Sequence, residues 1–440
     1  MRTPTKLTLV IATLFSTYTL ADQPIYHPIG PSLTQGKISS KYDLTSVMNN
    51  PAASPLVFDK TKDENWRIGA IGPFGIGYEV GQVDDLVDEL DELIDILDSE
   101  NLSADDALDA VDRFEPFLVN AEKDGYVKAS TAFTIPLLPV VYNHPTLGTF
   151  TFEVSSHGQL KGNVLADDIE IIVLDGGYEL NTNASMYVKS AVQLNASLGY
   201  AKAFWERDYG QLIGGLRAKL VTMELSKSVL SFSALDSSDD LADVIEDEYD
   251  KGADRTSALA LDLGLLWVAD NYSFGITVTD INEPEFEYGD LISNCANETG
   301  VGIDNCYAAQ QFITAGRING QETHVANSQV TLEGSVLFGG DKQFGLHASV
   351  DLNDKNDPVG DLYQWSTIAM TYNFDNWVLP QLRAGYSYNS AGSELGYYNV
   401  GITVLNNLYM DVRWSDENTA IDDSSGPRSA FINIGFQTRF

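Results

Sequence analysis

The last eleven residues alternate strictly. Ala430, Ile432, Ile434, Phe436, Thr438 and Phe440 share one face, while Phe431, Asn433, Gly435, Gln437 and Arg439 share the other. Successive side chains of a strand point to opposite sides, so one face is apolar and its reverse is mostly polar. A strand of about 9–11 residues crosses a bilayer when tilted, with lipid on one side and water on the other. The closing strand of a soluble sandwich has the same pattern, so the rest of the chain has to decide between the two.

The alternation recurs along most of the chain. Leu259, Leu261, Leu263, Leu265 and Trp267 oppose Ala260, Asp262 and Gly264, and Tyr272, Phe274, Ile276 and Val278 oppose Ser273, Gly275 and Thr277. Asp270-Asn271 between these runs marks a tight hairpin. Similar patterns start near Tyr126, Phe150, Leu194 and Gly210, and six more follow Val330 before the terminal strand. About fourteen strands result, with weaker candidates near Trp66 and Gln159. Arg217, Lys219, Glu333, His347, Arg383, Asp411 and Arg413 all fall on polar faces. Charges of both signs on one face suit a wet lumen better than a sandwich core. Tyr272, Phe338, Tyr372, Trp377, Tyr388 and Trp414 sit near strand ends, as interfacial girdles do. A soluble protein with one core would not turn apolar stripes outward on fourteen strands. The fold class expected is an all-β transmembrane barrel of about 14 antiparallel strands.

The amino terminus predicts export. Arg2 and Lys6 precede an apolar stretch at 7–20, and Thr19-Leu20-Ala21 suits cleavage after Ala21. No later stretch is long and apolar enough for a spanning helix. The net charge of -37, from 63 acidic and 26 basic residues, excludes a basic groove for nucleic acid. Cys295 and Cys306 are the only cysteines, and in an oxidising compartment they are expected to form a disulfide stapling the loop at 281–327. Two thiols with no nearby histidine make no zinc site.

The remaining segments break the alternation. Residues 22–58 are irregular and rich in Pro, Ser and Asn, with an Asn50-Pro51 turn. Residues 82–119 predict a helical insert. Val83, Leu86, Val87, Leu90, Leu93, Ile94 and Leu97 form one stripe, and Leu108, Val111 and Phe114 form a second behind a Ser103 cap, with Pro116 ending or kinking the helix. Residues 235–255 form a second acidic insert. Ile169 to Leu174 is a continuous apolar run, less polar toward a lumen than the other strands. Gly72-Pro73-Phe74-Gly75-Ile76-Gly77 lacks the spacing of a nucleotide-binding loop. Asp351-Leu352-Asn353-Asp354-Lys355-Asn356-Asp357-Pro358 reads as an Asp/Asn-rich turn rather than a calcium loop. No two of His27, His144, His157, His324 and His347 stand at metal-ligand spacing. No Gly-x-Ser-x-Gly elbow occurs; His157, beside Ser155 and Ser156, is the best candidate for a hydrolase, and its alternative is a polar residue at a strand end.

The turn Asn50-Pro51-Ala52-Ala53, the Gly-rich strand at 67–77 and the acidic Leu-rich helix at 83–97 resemble the FadL-like outer-membrane barrels, in particular the conjugal-transfer, TraF-like relatives of FadL. The Gly/Ala-rich start of many FadL-type hatches is missing before Tyr42. The resemblance implies that residues 22–58 form a hatch inside a barrel spanning 59–440 in the outer membrane of a Gram-negative bacterium. It also implies that Ile432, Ile434, Phe436 and Phe440 carry the signal read by the barrel-assembly machinery. Outer-membrane lipid and lipopolysaccharide would surround the barrel, and no cofactor is implied. The function implied is passive transport of a small hydrophobic molecule. The alternative is an envelope scaffold for conjugal transfer, whose acidic inserts would bind conjugation proteins, and an outer-membrane enzyme is the third reading.

Overall fold

The computed structural model describes residues 29–41, 43–58, 64–99, 101–135, 137–235, 248–249, 251–291, 295–405, 407–421 and 424–437. The expected signal peptide, the start of the hatch-like segment, most of the acidic insert at 235–255, and Phe440 lie outside them.

The strands in chain order are β1 (Trp66–Val80), β2 (Tyr126–Thr134), β3 (Val140–His144), β4 (Gly148–Leu165), β5 (Ile169–Leu174), β6 (Gly177–Thr182), β7 (Ser185–Arg207) and β8 (Gly210–Ser231). Next come β9 (Asp254–Val268), β10 (Tyr272–Thr279), β11 (Glu285–Glu287), β12 (Thr323–Val325), β13 (Gln329–Phe338), β14 (Phe344–Asp351), β15 (Lys355–Asn356) and β16 (Leu362–Tyr363). The last are β17 (Trp365–Asn373), β18 (Gln381–Asn389), β19 (Gly396–Val404), β20 (Leu408–Ser415), β21 (Asn418–Ile421), β22 (Ser424–Pro427) and β23 (Ser429–Gln437). Antiparallel pairing runs β1-β2-β4-β7-β8-β9-β10-β13-β14-β17-β18-β19-β20-β23 and back to β1. This is a closed barrel with fourteen positions. Closure joins Phe74 to Ile434 and Tyr78 to Ala430, so the C-terminal strand seals the ring.

The second position is split. β2 pairs with the later half of β1, and β3 pairs with its first three residues. The break holds Pro139, which cannot donate to a ladder. The pairing is bridged there by the Gly69 amide, which donates to the Pro139 carbonyl at 3.0 Å.

Across the membrane-spanning part of the strands the outer face is apolar. Leu259, Leu261, Leu263, Ile368, Val400, Ile432 and Ile434 are all more than 40 % exposed, as the lipid face of a membrane barrel is. Aromatic clusters mark both rims. Phe338 stacks on Phe344 at 5.5 Å and Phe344 meets Tyr372 edge to face at 4.8 Å near the short turns, and Tyr386, Tyr398 and Trp414 meet at 5.6 and 6.1 Å near the long loops. Short turns face the periplasm and long loops face outside in such barrels, which orients the ring.

Four neighbouring strands outgrow the membrane. β7 has 23 residues and β8 has 22, roughly 75 Å at about 3.3 Å per residue, against about 9–11 needed to cross. Their extensions, with those of β4 and β9, form an outer wall on which the inserts pack. The helices Leu86–Leu97 and Ala104–Asp124 lie there. Leu86, Leu90, Leu93 and Leu97 pack with Ala107, Ala110, Phe114, Leu118 and Ala121, and with Val164, Ile169 and Leu180.

Several expectations are corrected here. The second helix does not end at Pro116 or at residue 119 but runs to Asp124. Pro116 and Asp112 are both exposed, so the lost hydrogen bond leaves a carbonyl in water, while Phe114, Leu118 and Ala121 hold the helix to its partners. Its buried stripe is Ala107, Ala110 and Phe114; Leu108 is 55 % exposed. Small alanines let the helix approach its neighbours closely, and this rotates Leu108 outward. Ser103 caps the helix, accepting from the Asp106 amide at 3.1 Å. The apolar run Ile169–Leu174 is a strand, but it pairs only with β6 in a hairpin off the barrel. The loop at 281–327 contains the helix Val301–Thr314 and its own core, in which Ala308, Ala309 and Phe312 pack on Leu165, Tyr187 and Val229. Within it Cys295 and Cys306 are disulfide-bonded. Asp254 and Arg255, read as the end of an acidic insert, begin β9.

Phe114 anchors the helical insert against strands that stand clear of the membrane. Phe114→Ala is expected to destabilise the insert by about 3–5 kcal/mol. The check is limited proteolysis of outer-membrane preparations: cleavage within 86–124 should accelerate, while the barrel keeps its heat-modifiable migration on gels.

Candidate functional site: a plugged lumen

Residues 29–41 and 43–58 lie inside the ring. They form two short helices, Ser32–Gln35 and Ser46–Asn49, and a 3-10 turn, Pro51–Val57. Asn50 organises the turn: its Oδ1 accepts from the Ala52 amide at 2.9 Å, and its Nδ2 donates to Glu333 Oε1 of β13 at 2.7 Å. Glu333 also accepts from the Ser39 hydroxyl at 2.8 Å and from the Ser39 amide. One wall carboxylate therefore ties two points of the plug together.

The wall is shaped to receive this turn. Gly215 of β8 and Gly264 of β9 face each other in register. A Cβ on Gly215 would stand 2.3 Å from the Ala52 amide nitrogen, and one on Gly264 would stand 2.0 Å from Asn50 Oδ1. The two glycines make a flat socket that any side chain would fill. Beside it Ala52 packs on Ala201, Ile213 and Leu266. The plug's other apolar side, with Leu33, Leu44, Val47 and Met48, packs on Ala132, Val141 and Phe431 of β2, β3 and β23.

Cationic wall residues receive plug carbonyls. Arg217 donates to the Met48 carbonyl at 2.7 Å and to Asp262 Oδ2 at 2.7 Å. Arg413 donates to the Leu33 carbonyl at 2.8 Å and lies 4.7 Å from the Trp365 ring centre. Arg383 is fully buried in a two-point pair with Asp411 at 3.0 and 2.9 Å, and Asp411 also accepts from the Thr34 hydroxyl at 2.5 Å. Asn433 and Gly30 exchange hydrogen bonds at 3.0 and 3.2 Å. These contacts come from strands all around the ring.

A loop closes the outer mouth. The hairpin of β15 and β16 folds inward, and Lys355 reaches Asp280, which Lys219 also holds at 2.7 Å. Asp357 and Asp361 pair with Lys128 of β2, and Asp361 also with Lys161 of β4, across the mouth. Burial alone would raise the Asp361 carboxyl, but Lys128 and Lys161 outweigh it and hold it at about 2. Asp357, more deeply buried, is pushed up by burial despite Lys128. The Asp/Asn-rich turn expected at 351–358 is thus a loop turned into the lumen.

Among the described residues two cavities border the plug, one on each side of it along the axis. The outer one, about 120 Å³, lies beside Met48, Arg217, Val221 and Lys355. The inner one, about 460 Å³, lies near the short turns and is lined by Leu56, Tyr209, Val268, Tyr272, Leu337 and His347, among others.

All seven charged residues assigned to polar faces turn inward, but they do different work. Arg217, Glu333, Arg413 and Asp411 touch the plug, and Arg383 backs Asp411. Lys219 holds Asp262 and Asp280. His347 bridges the hydroxyls of Ser335 and Thr371 at 2.9 and 3.0 Å on the wall. The missed residues are Gly215 and Gly264. Gly264 was placed on the lumen face, but an isolated glycine in a strand signals close backbone approach only once its neighbour across the ring is known. His157 is buried in the wall; Ser155 donates to Glu153 at 2.8 Å, not to the imidazole. Ile432 and Ile434 face lipid.

Two substitutions test the seating of the plug. Gly264→Val is expected to unseat the Asn50 turn and open the lumen, seen as ionic current through planar bilayers where the parent barrel is silent. Asp411→Leu leaves a buried, unpaired Arg383 and is expected to cost about 3–5 kcal/mol, read as a lowered thermal midpoint in detergent.

A family profile described as "F plasmid transfer operon, TraF, protein" matches residues 47–351. A search of curated protein sequences found no match. Among solved structures the chain is similar to the toluene transporter TodX of P. putida, at 15% identity over 95% of this chain and 99% of that one, with a TM-score of 0.45. It is also similar to the toluene transporter TbuX of Ralstonia pickettii, at 13% identity over 94% and 99%, TM-score 0.44. A FadL homologue of Pseudomonas aeruginosa follows at 10% identity over 95% and 98%, TM-score 0.39. With the profile spanning more than half of its length, the chain, folded as a closed fourteen-strand barrel, belongs to the family described as the TraF protein of the F plasmid transfer operon.

Proposed function

We propose that this barrel passes a small, largely hydrophobic molecule passively across the outer membrane. The observation that supports this reading is the stacking of the two cavities above and below a seated plug. A scaffold needs no internal space, whereas a carrier of small molecules needs a place on each side of its barrier. Both cavities mix apolar and charged lining, which suits a cargo with an apolar body and a polar group. Movement of the plug from its glycine socket would connect the cavities. The driving force is the concentration gradient of the cargo.

The test is uptake into vesicles carrying the purified full-length protein. Toluene, the cargo named for two of the similar barrels, and small aromatic alcohols serve as probes. Uptake above that of protein-free vesicles, abolished when a disulfide pins residue 52 to residue 215 and restored by reductant, is the expected result. Identical rates with and without protein would refute passive transport.

A second reading rests on the helical insert. Its outward side carries exposed Glu92, Asp95, Asp105, Asp106, Asp109 and Asp112, and it stands apart from the plug. An acidic face of this kind would bind a basic partner, as a component of a conjugal-transfer assembly would require. Replacing residues 82–124 by a short turn separates the two readings: loss of mating with unchanged uptake supports the scaffold, and the reverse supports the channel.

A further inference from the structure

Buried polar atoms are nearly always hydrogen-bonded, and each exception calls for a partner. Six buried side-chain nitrogen or oxygen atoms on one stretch of wall have none among the described residues. They belong to Thr134 of β2, His157 and Gln159 of β4, and Gln193, Asn195 and Ser197 of β7. Register makes them neighbours, since Gln193 stands opposite His157, Asn195 opposite Ser155, and Ser197 opposite Glu153.

Three of these groups face an empty space. Gln193, Asn195 and Ser197, which are 4, 8 and 5 % exposed, line the outer chamber together with Glu153. Their unpartnered atoms are Gln193 Oε1, Asn195 Oδ1 and Ser197 Oγ. The chamber is also lined by apolar side chains, among them Val221, Met223 and Phe286. Its cations are committed elsewhere: Lys37 holds Asp351, Arg217 holds Asp262, Lys219 holds Asp262 and Asp280, and Lys355 holds Asp280. With the cations taken and Glu153 in the lining, the chamber disfavours an anion. Amide oxygens and a carboxylate accept hydrogen bonds, so this lining suits a group that can donate one.

We propose that Gln193, Asn195 and Ser197 form a recognition site for the hydroxyl group of a small neutral molecule, a phenol or a compact alcohol, whose apolar body lies against Val221, Met223 and Phe286. The hydroxyl donates to one amide oxygen and accepts from the neighbouring amide or from Ser197. A chamber of about 120 Å³ admits a molecule of this scale or a small cluster of waters at roughly 30 Å³ each. The assignment names the cargo class of the passive-transport reading and rests on it for its purpose. A site built to hydrogen-bond a hydroxyl rejects the analogue that lacks it, because its own buried groups are then left unpaired.

The test uses the full-length protein in detergent, with phenol and its methyl counterpart toluene as probes. Binding is measured directly by calorimetry, and uptake is measured in vesicles. The parent protein is expected to bind phenol at least about tenfold more tightly than toluene. The variant Gln193→Leu with Asn195→Leu is expected to lose that preference while still binding toluene. Without ligand it should be at least as thermally stable as the parent, since unpaired polar groups give way to apolar ones. If the double variant does not fold, Ser197→Ala alone should reduce the preference severalfold. An unchanged preference in the variants, or no binding of phenol by the parent, overturns the site and leaves waters as its occupants. Binding with the expected preference but no uptake refutes transport and leaves the site standing. Uptake without the preference does the opposite.

Discussion

A closed ladder of backbone hydrogen bonds is the condition on which this protein depends. Within lipid no water is present to satisfy an open strand edge, so the sheet has to return to its first strand. β23 supplies that closure by pairing with β1. Closure then creates a second problem inside. Alternation sends every other side chain into the lumen, where Arg383, Asp411, Arg413 and Asp262 are withdrawn from water. Each needs a partner, because an unpaired buried charge costs several kcal/mol. The wall supplies some of these partners and the plug supplies the rest.

The plug is therefore as much an electrostatic element as a steric one. Its carbonyls at Leu33 and Met48 take hydrogen bonds from Arg413 and Arg217, and its Asn50 and Ser39 engage Glu333. Contacts spread around the ring hold the segment in the lumen. Two glycines in register allow its backbone to meet the wall without an intervening side chain. Each contact is modest by itself, and together they fix the position of the segment within the ring.

The outer half is built on a different principle. Beyond the bilayer the long strands stop facing lipid, and their outer surface becomes the floor of an ordinary soluble core. Leu90, Leu93, Phe114 and Leu118 pack there as they would in a globular domain. The disulfide-closed loop packs instead on the inner face of these extensions, with Phe312 against Tyr187 and Val229. One β-sheet thus serves two solvents along its length, and the change in what covers its outer face marks the edge of the membrane.

Strand alternation, the inward charges and the aromatic ends were legible in the sequence because they are local. The side chains of Leu259 through Trp267 take opposite faces whatever the strand pairs with, so the lipid face could be read without knowing a neighbour. The same holds for the Ser103 cap and the leucine stripe at 86–97, which depend on residues within a turn or two. What a residue meets across the lumen depends instead on ring order and register, and no local pattern encodes these. Gly215 and Gly264 become a socket only because β8 and β9 pair in that register and Asn50 arrives opposite them. Ile169–Leu174 reads as a strand, yet only its packing on the helices places it off the barrel. Pro116 reads as a helix end or kink, and long-range packing carries the helix past it. The sequence by itself determined that the chain makes an amphipathic barrel with a polar interior, since a period of two is a property of each strand. Only the tertiary structure decided how that interior is filled, because contacts between residues hundreds of positions apart exist only once the ring has closed.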